Sequence, residues 1–216
     1  MAKEILATNI DGFLIKHAAF IEPHVAWFDR AIKLTRDTSL EGWKHKKDYF
    51  LGVDKAMEQI MPEASEEERT SQARKWYQED VVSYIKQHPE VVYRKVAELM
   101  KKLKSRFRLA LVTTNTNEYI YQIIEAAGLT GIYDIVYAVP SSEKPDKAAL
   151  FRNFTREHGK PKYYIAARSK EAFEECLSMG SICLYATWDE FEPEISELKV
   201  ERVKTPGQLE VRLLQI

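Results

Sequence analysis

Two regimes of apolar spacing divide this chain. Near the start, Ile5, Leu6 and Ala7 form a short apolar run. It ends in the polar turn Asn9-Ile10-Asp11-Gly12 and is followed by Phe13-Leu14. From about residue 16 to residue 87 the spacing is helical. The segment Pro23 to Ile32 carries apolar residues at i, i+3 and i+4, and Ser39 is placed to cap a second helix bearing Trp43, Tyr49 and Phe50. Ser65-Glu66-Glu67-Glu68 reads as a capping box that opens a helix through Trp76, Tyr77, Val81 and Ile85. With no strand alternation in this block, it predicts a unit of three to five helices. His88-Pro89 then punctuates the chain.

Beyond that point the pattern alternates. Helices are expected over 91–105, 117–127, 147–158, 169–179 and from Thr205-Pro206 to Leu214. Strands are expected over 107–112, 132–139, 163–167, 182–187 and 200–203. Gly128, Gly159 and Gly180 stop three of the helices. Strands separated by single helices of this length form a parallel sheet with helices on both faces. The expected fold is therefore α/β, a Rossmann-like parallel sheet formed by residues 1–16 and 88–216, with an all-helical insertion at 17–87. In such folds, chemistry gathers where parallel strands end. Asn9 and Asp11, two residues apart at the end of the first strand, share one face there.

Composition narrows the functional classes. A chain of 216 residues accommodates one core plus a smaller second unit. With a net charge of −1 and no long run of like charge, nothing marks a nucleic-acid footprint. No stretch reaches the roughly 20 apolar residues that span a bilayer, and the first residues lack a signal-like apolar segment. Cys176 and Cys183 have no His or Cys neighbours and are expected to be reduced and buried, in keeping with a cytoplasmic location.

Four strand ends carry candidate chemistry. The first, Ile5 to Leu14, resembles the opening motif of the haloacid dehalogenase-like (HAD) superfamily, an apolar strand followed by Asp-x-Asp-Gly-Thr-Leu. Asp11, Gly12 and Leu14 match, whereas Asn9 stands in place of the nucleophilic Asp and Phe13 in place of Thr. At the second, Leu109 to Val112 leads into Thr113, Thr114 and Asn115, where the family cradles a phosphate oxygen. At the third, Lys144-Pro145 matches the lysine that neutralises that phosphate. At the fourth, the family places a Gly-Asp pair whose Asp binds magnesium. Here Ala166-Ala167 stands in its place, followed by Arg168, with Glu171 as the possible later acid. The order of the four motifs and the slot of the helical insertion extend the resemblance over nearly the whole chain.

The resemblance implies a phosphatase-type reaction, and the substitutions argue against it. Attack on phosphorus through an aspartyl-phosphate needs a carboxylate, and removing a nucleophile elsewhere has cost on the order of 10⁶ in turnover. Ala167 offers no oxygen to a cation that demands near-ideal octahedral coordination. The expectation is a non-catalytic HAD-like protein without a bound metal, using Thr113, Thr114, Asn115, Lys144 and Arg168 toward a small anionic or phosphorylated ligand, or else binding a partner. The alternative is a magnesium-dependent HAD phosphatase of a small phosphorylated metabolite that relies on Asp11 and Glu171.

Overall fold

The computed structural model describes residues 3–46, 48–139 and 146–214. The chain divides into two compact units, Met1–His17 with Pro89–Ile216, and Ala18–His88.

The first unit is built on six strands: β1 (Glu4–Thr8), β2 (Phe107–Thr116), β3 (Ile135–Val139), β4 (Tyr163–Ala166), β5 (Ile182–Ala186) and β6 (Glu201–Val203). They form one parallel sheet in the order β3-β2-β1-β4-β5-β6. The chain winds outward from β1 to β3, then returns to the other side of β1 to place β4. Between β1 and β4 lies the switch point where open parallel sheets present their crevice.

Helices α4 (Arg94–Leu103), α5 (Asn117–Ala126), α6 (Lys147–His158), α7 (Lys170–Ser178), α8 (Pro193–Ser196) and α9 (Pro206–Leu214) connect or follow these strands. Apolar residues on one sheet face, among them Ile5, Ala7, Ala110 and Val112, pack with Leu150, Phe151 and Phe154 of α6 and Ala172, Phe173 and Cys176 of α7. Phe151, Tyr164, Phe173 and Tyr185 form a run of edge-on ring contacts, with centroids 5.0, 5.1 and 5.9 Å apart. Cys176 and Cys183 are free and buried, and burial pushes the Cys183 thiol up to about 12.

The expected elements are present with shifted ends. Strand β2 continues past Val112 to Thr116, through a register break against β3 between Thr113 and Thr116. Thr113, Thr114 and Asn115 therefore lie on an irregular strand end and not in a loop beyond it. The short helix α8 has no periodic pattern of its own and went unforeseen.

The second unit contains α1 (Ala18–Thr35), α2 (Phe50–Ile60) and α3 (Glu66–Gln87), with a 3₁₀ turn at Thr38–Trp43. Ser65 and Glu68 form the expected reciprocal cap of α3. Ser39 does not cap a helix: Asp37 does, its carboxylate accepting the Ser39 N–H at 2.9 Å. An acceptor at Asp37 reaches the N–H two residues on, which makes it the cap of the turn that begins at Thr38. Trp27 and Phe28 sit in the core of this unit, while Trp43, Tyr49, Trp76 and Tyr77 pack against it half-buried.

Gly52 in α2 faces the Trp43 ring so closely that a Cβ would lie 2.5 Å from Trp43 Cγ. Helix propensity alone favours Ala over Gly by about 1 kcal/mol, but overpacking of this kind costs about 1–3 kcal/mol. We expect Gly52→Ala to lower stability in denaturant unfolding despite its better propensity. Gly42→Ala, where nothing lies within 4 Å of the new carbon, is the neutral control.

Candidate functional site

The residues just past β1 fold into a tight turn. The Leu14 and Ile15 N–H groups both donate to the Ile10 carbonyl at 3.0 Å, and Gly12 N–H donates to Ile15 O at 2.7 Å. Gly12 has φ +70°, and a Cβ there would come within 2.9 Å of Ala167 Cβ and 3.3 Å of Asp189 Oδ2. Glycine is required both by backbone conformation and by the approach of β4's end.

Asn9 is turned in on its own loop. Its Nδ2 donates to the Asp11 main-chain carbonyl at 3.2 Å, and its Oδ1 is buried with no partner among the described residues. The Asp11 carboxylate accepts from His17 Nδ1 at 2.9 and 3.1 Å. Asp189 accepts the His17 N–H at 2.7 Å and the Tyr93 hydroxyl at 2.8 Å. Burial, reinforced by that hydrogen bond to Asp189, raises the Tyr93 hydroxyl well above its usual range. Trp188 lies on Phe13, ring centroids 5.5 Å apart, and its indole N–H donates to the Phe13 carbonyl at 3.2 Å.

Opposite this turn, Ala167 is buried and Arg168 reaches three carboxylates. Its guanidinium lies 2.6 Å from Glu190, 3.0 Å from Glu192 and 3.9 Å from Asp11. Burial works against its charge, but Glu190, Asp11 and Glu192 outweigh that and shift it upward. Glu192 is itself raised, mainly by burial, although Arg168 and the Ser169 N–H oppose the shift. Ser169 has φ +81°, and its hydroxyl is buried without a partner among the described residues.

Of the expected site residues, Asn9, Asp11, Ala167 and Arg168 come together at the β1/β4 switch point. Thr113, Thr114 and Asn115 lie half-buried on β2, and the Thr113 hydroxyl already accepts the Asn115 N–H at 3.2 Å. Lys144 lies outside the described residues. Glu171 is exposed in the first turn of α7 and acts on another lysine, Lys147. Burial lowers the Lys147 charge, while Glu171, Asp11 and Glu192 support it.

Sequence reasoning missed His17, Tyr93, Lys147, Asp189, Glu190 and Glu192. The three acids had a usable signal: they follow β5 directly, where polar residues past a strand end are expected to converge. His17 and Tyr93 had none, since they are brought in by the turn and by the start of α4.

The strained backbone at Ser169 has a measurable consequence. A left-handed non-glycine residue costs about 1–2 kcal/mol. We expect Ser169→Gly to raise stability by about 1 kcal/mol, a Tm gain of about 2–4 °C in thermal unfolding.

Residues 31–165, more than half of the chain, match the family described as haloacid dehalogenase-like hydrolase. A phosphoglycolate phosphatase of Aquifex aeolicus (strain VF5) is 31% identical over 86 residues, which are 39% of this chain and 38% of that protein. The chain thus matches about two-fifths of the length of that curated relative. Among solved structures, a predicted phosphatase from Clostridium acetobutylicum superposes with TM-score 0.69 at 15% identity, covering 100% of both chains. The β-phosphoglucomutase of Clostridium difficile gives 0.67 at 14%, covering 99% of this chain and 96% of that one. The HAD-hydrolase YfnB of Bacillus subtilis, bound to magnesium, gives 0.65 at 13%, covering 100% of both chains. The structural likenesses establish the fold, and the match over residues 31–165 establishes the lineage: this chain belongs to the haloacid dehalogenase-like hydrolase family.

Proposed function

We propose that this HAD-like protein does not hydrolyse phosphate esters and acts by binding. The observation that carries the reading is the Asn9 side chain. It places an amide donor on the Asp11 carbonyl, while Ala167 supplies no oxygen on the opposite strand. An N–H directed at that carbonyl competes for the lone pairs a cation would use. Among the described residues, no group of three His, Cys, Asp or Glu side chains is placed to hold a metal ion. Asn9 and Ala167 together offer magnesium fewer anionic oxygens than the family motif does.

The remaining groups support a network closed on itself more than a site for an anion. Arg168 is engaged by Glu190, Glu192 and Asp11. Among the described residues, Arg168 meets Asp11, Glu190 and Glu192, and Lys147 feels Glu171, Asp11 and Glu192, with Asp189 close by on His17 and Tyr93. Among the described residues the crevice is predominantly acidic, which favours a binding role at other surfaces and toward a partner. The alternative, a magnesium-dependent phosphatase working through Asp11, would need that carboxylate to leave His17.

Turnover of an aryl phosphate in magnesium or manganese should not exceed background, and neither Asn9→Asp nor Ala167→Asp alone should create it, because each restores one requirement of two. Wild-type turnover that disappears in Asp11→Ala would overturn the reading. Titration of the metal-free protein with inorganic phosphate should show no saturation at millimolar concentrations. A saturable isotherm would instead support the anionic-ligand version.

A further inference from the structure

We propose that the helical unit Ala18–His88 carries a binding site for a single-ring aromatic carboxylate. A cavity of about 130 Å³ opens between α1, α2 and α3 of this unit, walled by Trp27, Tyr49, Met57, Ala73 and Tyr77. An apolar cavity of about 150 Å³ admits a benzene ring, so one ring is the size of occupant this space takes.

The polar groups around it define the rest of the occupant. Trp27 is 3% exposed, and its indole N–H is buried with no acceptor among the described residues. Indole is a donor only, and an unmet buried donor favours an acceptor on whatever fills the cavity. His24, also on the wall, directs Nε2 at the Lys44 carbonyl at 3.0 Å, and burial lowers its affinity for a second proton. The cationic lining is therefore Arg69 and Arg74, against the single acid Asp54. Burial, with Glu66 and Glu58 nearby, raises Asp54, and Arg69 opposes that shift. An aromatic ring bearing a carboxylate fits the volume, the unmet donor and the sign of the charge together. Recognition of this kind, an apolar pocket with a few placed polar groups, is the usual form of a small-molecule site. The cavity lies wholly within Ala18–His88, so occupancy there is independent of phosphate-ester turnover in the other unit.

Benzoate is the probe, added to the full chain and followed by the indole N–H signals of the four tryptophans. The Trp27 signal, assigned as the one missing from Trp27→Phe, should shift saturably with a dissociation constant of about 1 mM or lower. Trp27→Phe keeps the wall but removes the donor and should weaken binding about 5-fold, the worth of one hydrogen bond. Arg74→Gln, an exposed rim substitution, should also weaken benzoate binding several-fold while leaving benzyl alcohol unaffected. Failure of benzoate to saturate would overturn the proposal, and so would equal affinity in wild type and Arg74→Gln. The second comparison decides the matter even if Trp27→Phe does not fold.

Discussion

The parallel pairing of β1 with β4 is the constraint on which the candidate site depends. Leu6, Ala7 and Thr8 lie in register with Tyr163, Tyr164 and Ile165, so the two strands end side by side. Whatever follows Thr8 must then meet whatever follows Ala166. The sheet sets that meeting at backbone distance, as the 2.9 Å between a hypothetical Gly12 Cβ and Ala167 Cβ shows. With acids at both ends, carboxylates would converge there and require a cation between them. With Asn9 and Ala167 those two charges are missing, and the amide of Asn9 donates to the Asp11 main-chain carbonyl.

Under the proposed reading, electrostatics separates this crevice from one that welcomes phosphate. A unit-charge pair about 4 Å apart near a protein surface carries about 4 kcal/mol, before screening. An incoming dianion feels that twice over from each carboxylate it approaches. Arg168 cannot answer without giving up Glu190 and Glu192, and Lys147 is held by the fields of Glu171, Asp11 and Glu192. Glu190 is largely exposed, so its own pairing is worth little. Among the described residues, the surplus of carboxylates around Arg168 and Lys147 matters more than the strength of any one bridge.

Much of the architecture was legible because it rests on local rules. The glycine stop after α6, the capping box of α3 and the alternation of β4, α7 and β5 each follow from backbone physics confined to a few residues. Asn9, Asp11, Ala167 and Arg168 were legible for a different reason: a parallel sheet brings strand ends together, so position along the chain stands for position in space. The rule reached further than it was applied, since Asp189, Glu190 and Glu192 follow β5 in the same way. His17 was not legible. It comes to Asp11 because the turn at Gly12 reverses the chain, and six residues of separation carry no periodicity that announces it. The Asp37 cap and the break in β2 at Thr113 were missed because each depends on competition between neighbours, Ser39 against Asp37 and β2 against the shorter β3.

The division of labour within the first unit explains how such a fold accommodates neutral residues at its chemical end. Its stability comes from strand interiors: the ring contacts of Phe151, Tyr164, Phe173 and Tyr185, and apolar residues of β1 and β2 facing α6 and α7. Of these side chains, Tyr185 also touches the polar network past the strand ends, its hydroxyl accepting the Glu192 main-chain N–H. Neutral Asn and Ala at the strand ends bring less like-charge repulsion than acids would there, and the core contacts do not depend on them. Among the described residues, the left-handed Ser169 and the Asn9 Oδ1 without a partner are costs at this end. Both sit at the switch point, the one place in the sheet where topology, not packing, dictates what the backbone must do.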